Sequence, residues 1–331
     1  MKKILITGAS GFIGSFLVEE ALKRDYEVYA GIRKSSSTKY LSDSRIKLTE
    51  LDFSNPDLLN QKISELPQFD YIIHNAGLTR APKKADYFTS NYQYTKNIID
   101  ALISQKKVPE KFIYMSSLAA YGPGDPELLN PVQVSDTPRP LTAYGRSKLE
   151  SEKYLNTLPN FPHIIIRPTA VYGPREKDLF TVFKMINNNI ELFVGFKKQH
   201  LTFIYVKDLV KAVFQSMESG IINRGYFVSD GNVYDGKILG NIIKKQLGKR
   251  TLRISFPIGL VRLIAIISES TKYISGKQAL LNYDKINELE CTNWQCDIQP
   301  LIDELNFKPE YNLNEGIQET ITWYKQTKWL K

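Results

Sequence analysis

Tyr144 and Lys148 stand four residues apart in Tyr144-Gly145-Arg146-Ser147-Lys148, a spacing that puts both on one face of a helix. A phenol with a pKa of about 10 is a poor proton carrier near neutrality. An ammonium beside it favours the phenolate and lowers that value, so the pair becomes a usable acid–base couple. Spacing alone does not single this pair out, because Tyr92/Lys96, Tyr273/Lys277 and Tyr324/Lys328 repeat it. Position does. The 144–148 pair follows the loop Pro138-Arg139-Pro140. It lies after an apolar run ending in Ser116-Ser117 and before one ending in Arg167-Pro168. Ser117 adds a hydroxyl able to donate to a substrate oxygen.

A second constellation stands at the N-terminus. Residues 7–14 read TGASGFIG, directly after the apolar run Ile4-Leu5-Ile6 and before a helical pattern with Phe12, Ile13, Phe16, Leu17 and Leu22 apolar. Gly8 permits a tight turn, Gly11 lets the backbone approach a pyrophosphate, and Gly14 lets helix and strand pack closely. The free N–H groups and positive dipole end of such a helix hold phosphates. The cofactor-binding set read from this turn is Gly8, Ser10, Gly11, Phe12, Ile13 and Gly14.

The elements that must position these residues alternate. Ile4–Thr7, Glu27–Ile32, Ile46–Leu51, Tyr71–His74, Lys111–Ser116 and Ile164–Arg167 read as short buried strands. Helical patterns lie between them, clearest over Thr95–Lys106 and Ala143–Leu158. That order predicts an α/β fold with a doubly wound parallel sheet and right-handed crossovers. Ligands on such sheets bind at the carboxyl ends of the strands, so Thr7, His74 to Gly77, Ser116-Ser117 and Arg167-Pro168 should face one crevice. After about residue 170 the pattern loosens. Helices are expected around 178–189, 206–218 and 235–247, and over Phe256–Ser270 and Leu313–Lys325, with a strand at Tyr226–Ser229. The expected division is residues 1–170 for dinucleotide binding with the catalytic residues, and residues 171–331 for a smaller α+β substrate lobe interleaved with it.

Composition excludes several classes. The formal charge is +9, but its basic residues come as scattered pairs such as Lys83-Lys84 and Lys197-Lys198, with no tract or finger that would bind nucleic acid. Attraction to an anionic cofactor or an anionic membrane surface is the functional reading of that charge. Cys291 and Cys296 lack the second pair of a zinc site and are expected to be free thiols, and no metal is expected. Lys2-Lys3 precede a strand, not a leader segment, and the longest apolar stretch, Phe256 to Ile267, is too short to span a bilayer. The expected location is the cytoplasm, with peripheral membrane contact left open.

The chain resembles the extended short-chain dehydrogenases/reductases, the NAD(P)-dependent epimerase/dehydratase superfamily. TGASGFIG at 7–14, Asp52-Phe53, HNAG at 74–77, MSSLAAYG at 115–122, YGRSK at 144–148, RPTAVYGP at 167–174 and FIYVKDLV at 203–210 carry the resemblance. They stand in family order over about two-thirds of the chain. The resemblance implies a Rossmann-type sheet, Tyr144 as acid/base helped by a bound oxidised nicotinamide, Lys148 as its partner, and Ser117 as the substrate-orienting hydroxyl. It implies that Asp52 and Phe53 contact adenine, that Ala76 and Gly77 lie beside the cofactor ribose, that Lys148 also holds ribose hydroxyls, and that Pro168 contacts the carboxamide. Asn91 and Thr95 approach the site from the helix after His74, which is itself read as a satisfied strand-end histidine. A homodimer built through the helix of Tyr144 and the one before it is also implied.

The second strand ends in Gly31-Ile32 followed by Arg33-Lys34, with no carboxylate to accept from a ribose. Arg33 and Lys34 suit a 2′-phosphate, so NADP(H) is expected over NAD(H). Leu118 and Ala119 occupy the positions where the family's dehydratases carry an Asp-Glu pair, which argues against water elimination. Leu201 stands where its nucleotide-sugar epimerases commonly carry a phosphate-binding arginine, although Lys197, Lys198 or Arg175 could substitute. The remaining branch resembles the dihydroflavonol reductases and 3β-hydroxysteroid dehydrogenases. The expected activity is therefore interconversion of a ketone or aldehyde and an alcohol on a largely apolar, lipid-like small molecule. A nucleotide-sugar 4-epimerase is the alternative.

Overall fold

The computed structural model describes residues 1–195, 197–259, 261–262 and 283–330. Its frame begins with β1 (Lys3–Thr7), α1 (Phe12–Lys23), β2 (Glu27–Ile32), β3 (Lys47–Glu50), α2 (Pro56–Glu65) and β4 (Tyr71–His74). It continues with α3 (Lys84–Tyr87), a π-helical stretch (Phe88–Gln93), α4 (Tyr94–Ser104), β5 (Lys111–Met115), α5 (Ala143–Asn156) and β6 (His163–Pro168). The strands β4, β5 and β6 are buried at every residue, which is what a sheet covered by helices on both faces requires.

Later elements are β7 (Ala170–Tyr172), α6 (Phe180–Asn187), β8 (Ile190–Val194), β9 (His200–Leu201), β10 (Phe203–Tyr205), α7 (Val206–Glu218) and β11 (Arg224–Val228). The large sheet has seven strands in the order β11-β6-β5-β4-β1-β2-β3, and every pair is parallel. The chain thus returns after residue 200 to complete the sheet laid down by its first half. The order reverses between β1 and β4, the switch point where such sheets open a crevice. Register keeps the strand ends level there: Thr7 pairs with Gly31 and His74, His74 with Tyr114, and Met115 with Ile166. One apolar layer joins α1 and α7 to the sheet through Leu17, Val18, Leu209 and Val213; the other joins α2 and α4 through Leu59, Ile63, Ile98 and Leu102.

Three smaller sheets accompany it, the first a parallel pairing of β7 with β10. Tyr234–Asp235, β9 and Asn293–Trp294 form a three-stranded sheet, and β8 pairs in parallel with Leu252–Phe256. Phe256 therefore closes a strand, where the sequence pointed to the start of a helix. Leu252, Ile254 and Phe256 alternate with Arg253 and Ser255, and a period of two decides for strand. Residues 258–259 and 261–262 are helical, and the rest of the expected helix to Ser270 falls outside the described residues, apart from these, as does the Tyr273/Lys277 pair. Both cysteines are free thiols. No helix among the described residues is long and apolar enough to cross a membrane.

Candidate active site

The glycine turn is built as its spacing demands. Gly8 has φ +64°, and a Cβ there would stand 2.9 Å from the Ala76 backbone. A Cβ on Gly14 would come within 2.1 Å of the Gly8 carbonyl oxygen, so α1 packs against the turn only because that side chain is missing. Gly11 is the exposed N-cap of α1, and no side chain caps the helix. Its first N–H groups thus point outward at the switch point, a fit for the pyrophosphate of a dinucleotide. Ser10, Phe12 and Ile13 complete the turn and are half-buried.

Tyr144 stands in the first turn of α5, whose N-cap Thr142 accepts from the Gly145 N–H at 3.0 Å. Asp284, from the late lobe, accepts from the Ala143 N–H at 2.8 Å and fixes the same turn. Gly145 matters beyond this. A Cβ there would stand 2.1 Å from the Ala119 carbonyl oxygen, so its absence lets α5 lie directly on the 118–120 turn that begins at Ser117. That contact brings the Ser117 hydroxyl toward Tyr144. Burial pushes the Tyr144 phenol up to about 12, and hydrogen bonding with Ser117 pulls it the other way. The Tyr87 ring closes edge-on, 6.1 Å between centroids.

Lys148 is buried and donates to the Met115 carbonyl at 2.7 Å, with the Tyr114 ring centroid 5.0 Å away. Desolvation brings it down to about 8, opposed by Glu152. The lowering of the phenol by this ammonium, expected from the spacing, is not seen in the protein groups themselves. Burial sets the phenol, and the amine is turned to the end of β5. A phenol held neutral is set to donate a proton, which is what a forming alkoxide needs.

Behind this pair lies a buried polar network. The Thr7 hydroxyl meets His74 Nδ1 at 2.9 Å, and Thr95 meets Nε2 at 3.1 Å. Asn91 accepts from the Leu78 N–H at 2.7 Å and donates to Ser147 at 3.0 Å. Asn91 and Thr95 therefore hold the walls of the site and do not project into it, and His74 is the satisfied histidine that the sequence suggested. Desolvation lowers His74 to about 3. Its folded pKa lies below the ordinary 6.5, so the unfolded chain takes up this proton first. Stability supplied by neutral His74 is then lost as pH falls from about 6.5 toward 3, on the order of 5 kcal/mol in all. Replacing His74 with Asn should flatten that acid limb in denaturant titrations run at several pH values.

The other expected cofactor residues stand around the same strand ends. The Ala76 N–H donates to Thr7 at 3.1 Å, and a Cβ on Gly77 would meet Lys148 Nζ at 3.2 Å. Pro168 closes β6. Asp52 Oδ1 accepts from the Ser54 N–H (2.9 Å) and hydroxyl (2.6 Å), which holds its carboxyl below the usual range. The Phe53 ring packs in the core and its carbonyl accepts from Asn97 at 2.8 Å. Arg33 and Lys34 are exposed just past β2. Arg175, one candidate for a substrate phosphate, is committed elsewhere. It donates to Ser15 (2.9 Å) and Glu19 (2.6 Å) on α1 and lies between the Phe16 and Tyr40 rings.

One feature was not singled out from the sequence. Glu152 is four residues beyond Lys148 on α5 and fully buried, where it takes a bidentate ion pair from Arg167 (2.9–3.1 Å) and a hydrogen bond from Ser116. Its i+4 and i+8 spacing from Lys148 and Tyr144 was the available signal.

The model of the NAD dependent epimerase/dehydratase family matches residues 4–228. The chain belongs to that family. It is an enzyme family of the extended short-chain dehydrogenase/reductase superfamily, and its members bind NAD(P). The UDP-glucose 4-epimerase of Vibrio cholerae is 28% identical over 98% of this chain and 96% of its own length. The ceramide reductase of Caulobacter vibrioides is 22% identical over 99% and 96%. The solved UDP-glucose 4-epimerase of Thermotoga maritima, with UDP-glucose, superposes with a TM-score of 0.80 at 21% identity, covering 98% of this chain and 99% of its own.

Proposed function

We propose that this family member reduces a ketone on a largely apolar, lipid-like substrate with NADPH. When bound, the cofactor supplies the hydride. The Tyr144 hydroxyl gives its proton to the forming alkoxide, Ser117 holds the same oxygen, and Lys148, one turn further along α5, is anchored by the Met115 carbonyl. The observation that carries the substrate class is the treatment of cations where a sugar diphosphate would need them. Leu201 occupies the arginine position, and Arg175 is tied to α1 by Ser15 and Glu19. The full-length likeness to a ceramide reductase supports the same reading.

The second reading is a nucleotide-sugar 4-epimerase. The higher identity to the Vibrio enzyme and the likeness to the Thermotoga fold support it, and nucleotide-sugar 4-epimerases recur among the relatives, so on the comparisons alone it is the better-backed one. Lys197 and Lys198 are exposed and offer a diphosphate some charge. Calorimetry with UDP and dTDP, beside NADPH oxidation assays on acyl-chain and steroid-like ketones, separates the two. Turnover of an apolar ketone without UDP binding is expected. UDP binding together with interconversion of UDP-glucose and UDP-galactose would overturn the reductase in favour of the epimerase.

The cofactor preference has its own test. Charge-assisted hydrogen bonds contribute about 1.5–3 kcal/mol, so Arg33→Ala should weaken NADPH by roughly tenfold to a hundredfold. NADH should be little affected. Steady-state KM values for both cofactors check this, and equal or better efficiency of the unaltered enzyme with NADH would refute the preference.

A further inference from the structure

The pairing of β8 with Leu252–Phe256 sets Ile190 beside Leu252, Leu192 beside Ile254, and Val194 beside Phe256. Residues two apart on a strand share a face, so these six form one apolar surface. Four of them stay exposed: Ile190 by 41%, Leu192 by 43%, Leu252 by 68% and Ile254 by 36%. Single exposed apolar residues are ordinary, but a paired, contiguous set marks an interaction site. The opposite face is satisfied internally. Glu191 is buried there and takes Lys244 at 2.6 Å and Arg253 at 2.9 Å.

The charge around this sheet is one-sided. Residues 186–198 and 241–259 hold seven Lys and Arg against the single acid Glu191; Lys244 and Arg253 bind that acid on the opposite face, and the other five stand in the segments that adjoin the two strands. Lys197, Lys198, Lys245, Lys249 and Arg250 make no ion pair among the described residues. A self-pairing of this face would bring two such positive fields together, which disfavours a second copy as its occupant.

We propose that this face docks on an anionic lipid bilayer. The apolar strip enters the headgroup boundary, and the unpaired cations of the adjoining segments, Lys197, Lys198, Lys249 and Arg250, meet anionic headgroups. The proposal stands on the patch and does not depend on which substrate the enzyme takes. The test is co-sedimentation of the full chain, loaded with NADPH, with vesicles of phosphatidylcholine alone or with one third phosphatidylglycerol. Binding is expected only to the second kind, with release at high salt. Each cation near such a surface contributes about fivefold, so the double change Lys249→Glu, Arg250→Glu should lower partitioning by at least about 25-fold. Leu252→Ser with Ile254→Ser should also weaken it, with NADPH affinity kept as proof of folding. Three results would overturn the proposal. These are no sedimentation with the anionic vesicles, equal sedimentation of all variants, or a dimer in sedimentation velocity that the serine changes dissociate in the absence of vesicle binding.

Discussion

Tyr144→Phe should lower kcat by about 10²–10⁴ and leave NADPH affinity near that of the unaltered protein. The ring stays, so its contact with Tyr87 and the packing of α5 are preserved. Only the hydroxyl is lost, and with it the proton for the alkoxide. Lys148 does not replace it. Its amine is engaged by the Met115 carbonyl at 2.7 Å. Ser117, bonded to the N–H of Ala119 at 3.2 Å, orients an oxygen but is a far weaker acid than an aromatic hydroxyl. Single-turnover assays with bound NADPH would isolate the chemical step, and fluorescence titration would report cofactor affinity. Retention of more than about a few per cent of the rate would remove Tyr144 from the proton path.

The first half of this site was legible because its determinants are local. Runs such as Tyr71–His74 and Lys111–Met115 are apolar enough to declare themselves as covered strands; Gly11 and Gly14 answer to the Gly8 carbonyl a few residues away, and Gly8 to its own positive φ. The late lobe was not legible in the same way. Its strands His200–Leu201, Tyr234–Asp235 and Asn293–Trp294 are two residues long and carry no period. They are held from a distance, by Thr202 donating to the Trp294 carbonyl at 2.7 Å, and by Asn293 donating to the Asp125 and Asn130 carbonyls at 2.9 Å each. Asp284, which fixes the first turn of α5, is likewise 141 residues from its partner Ala143. Where a side chain's partner lies that far along the chain, pattern reading has nothing to count.

Glu152→Ala should cost about 3–5 kcal/mol of stability, the largest loss expected for a residue outside the reacting groups. The carboxylate and the Arg167 guanidinium are exposed by only 3% and 6%, so removing one leaves the other charged in an apolar setting. Arg167 has no room to leave. A Cβ on Gly225 would stand 2.3 Å from its Nη1, and it lies over the Tyr121 ring at 4.7 Å and the Phe227 ring at 5.6 Å. The same change strips Ser116 of its acceptor at the end of β5, one residue before Ser117. Urea unfolding followed by circular dichroism would measure the loss. The double variant Glu152→Leu, Arg167→Met should recover most of it, since a well-packed apolar pair replaces a buried ion pair at little cost. The pair then serves position more than stability. The double variant should regain its fold and still turn over more slowly than the unaltered enzyme, because Ser116 no longer has a carboxylate to anchor the segment that aims Ser117 at Tyr144. A loss below about 1 kcal/mol in the single variant would show that the pair is solvated and carries no such role.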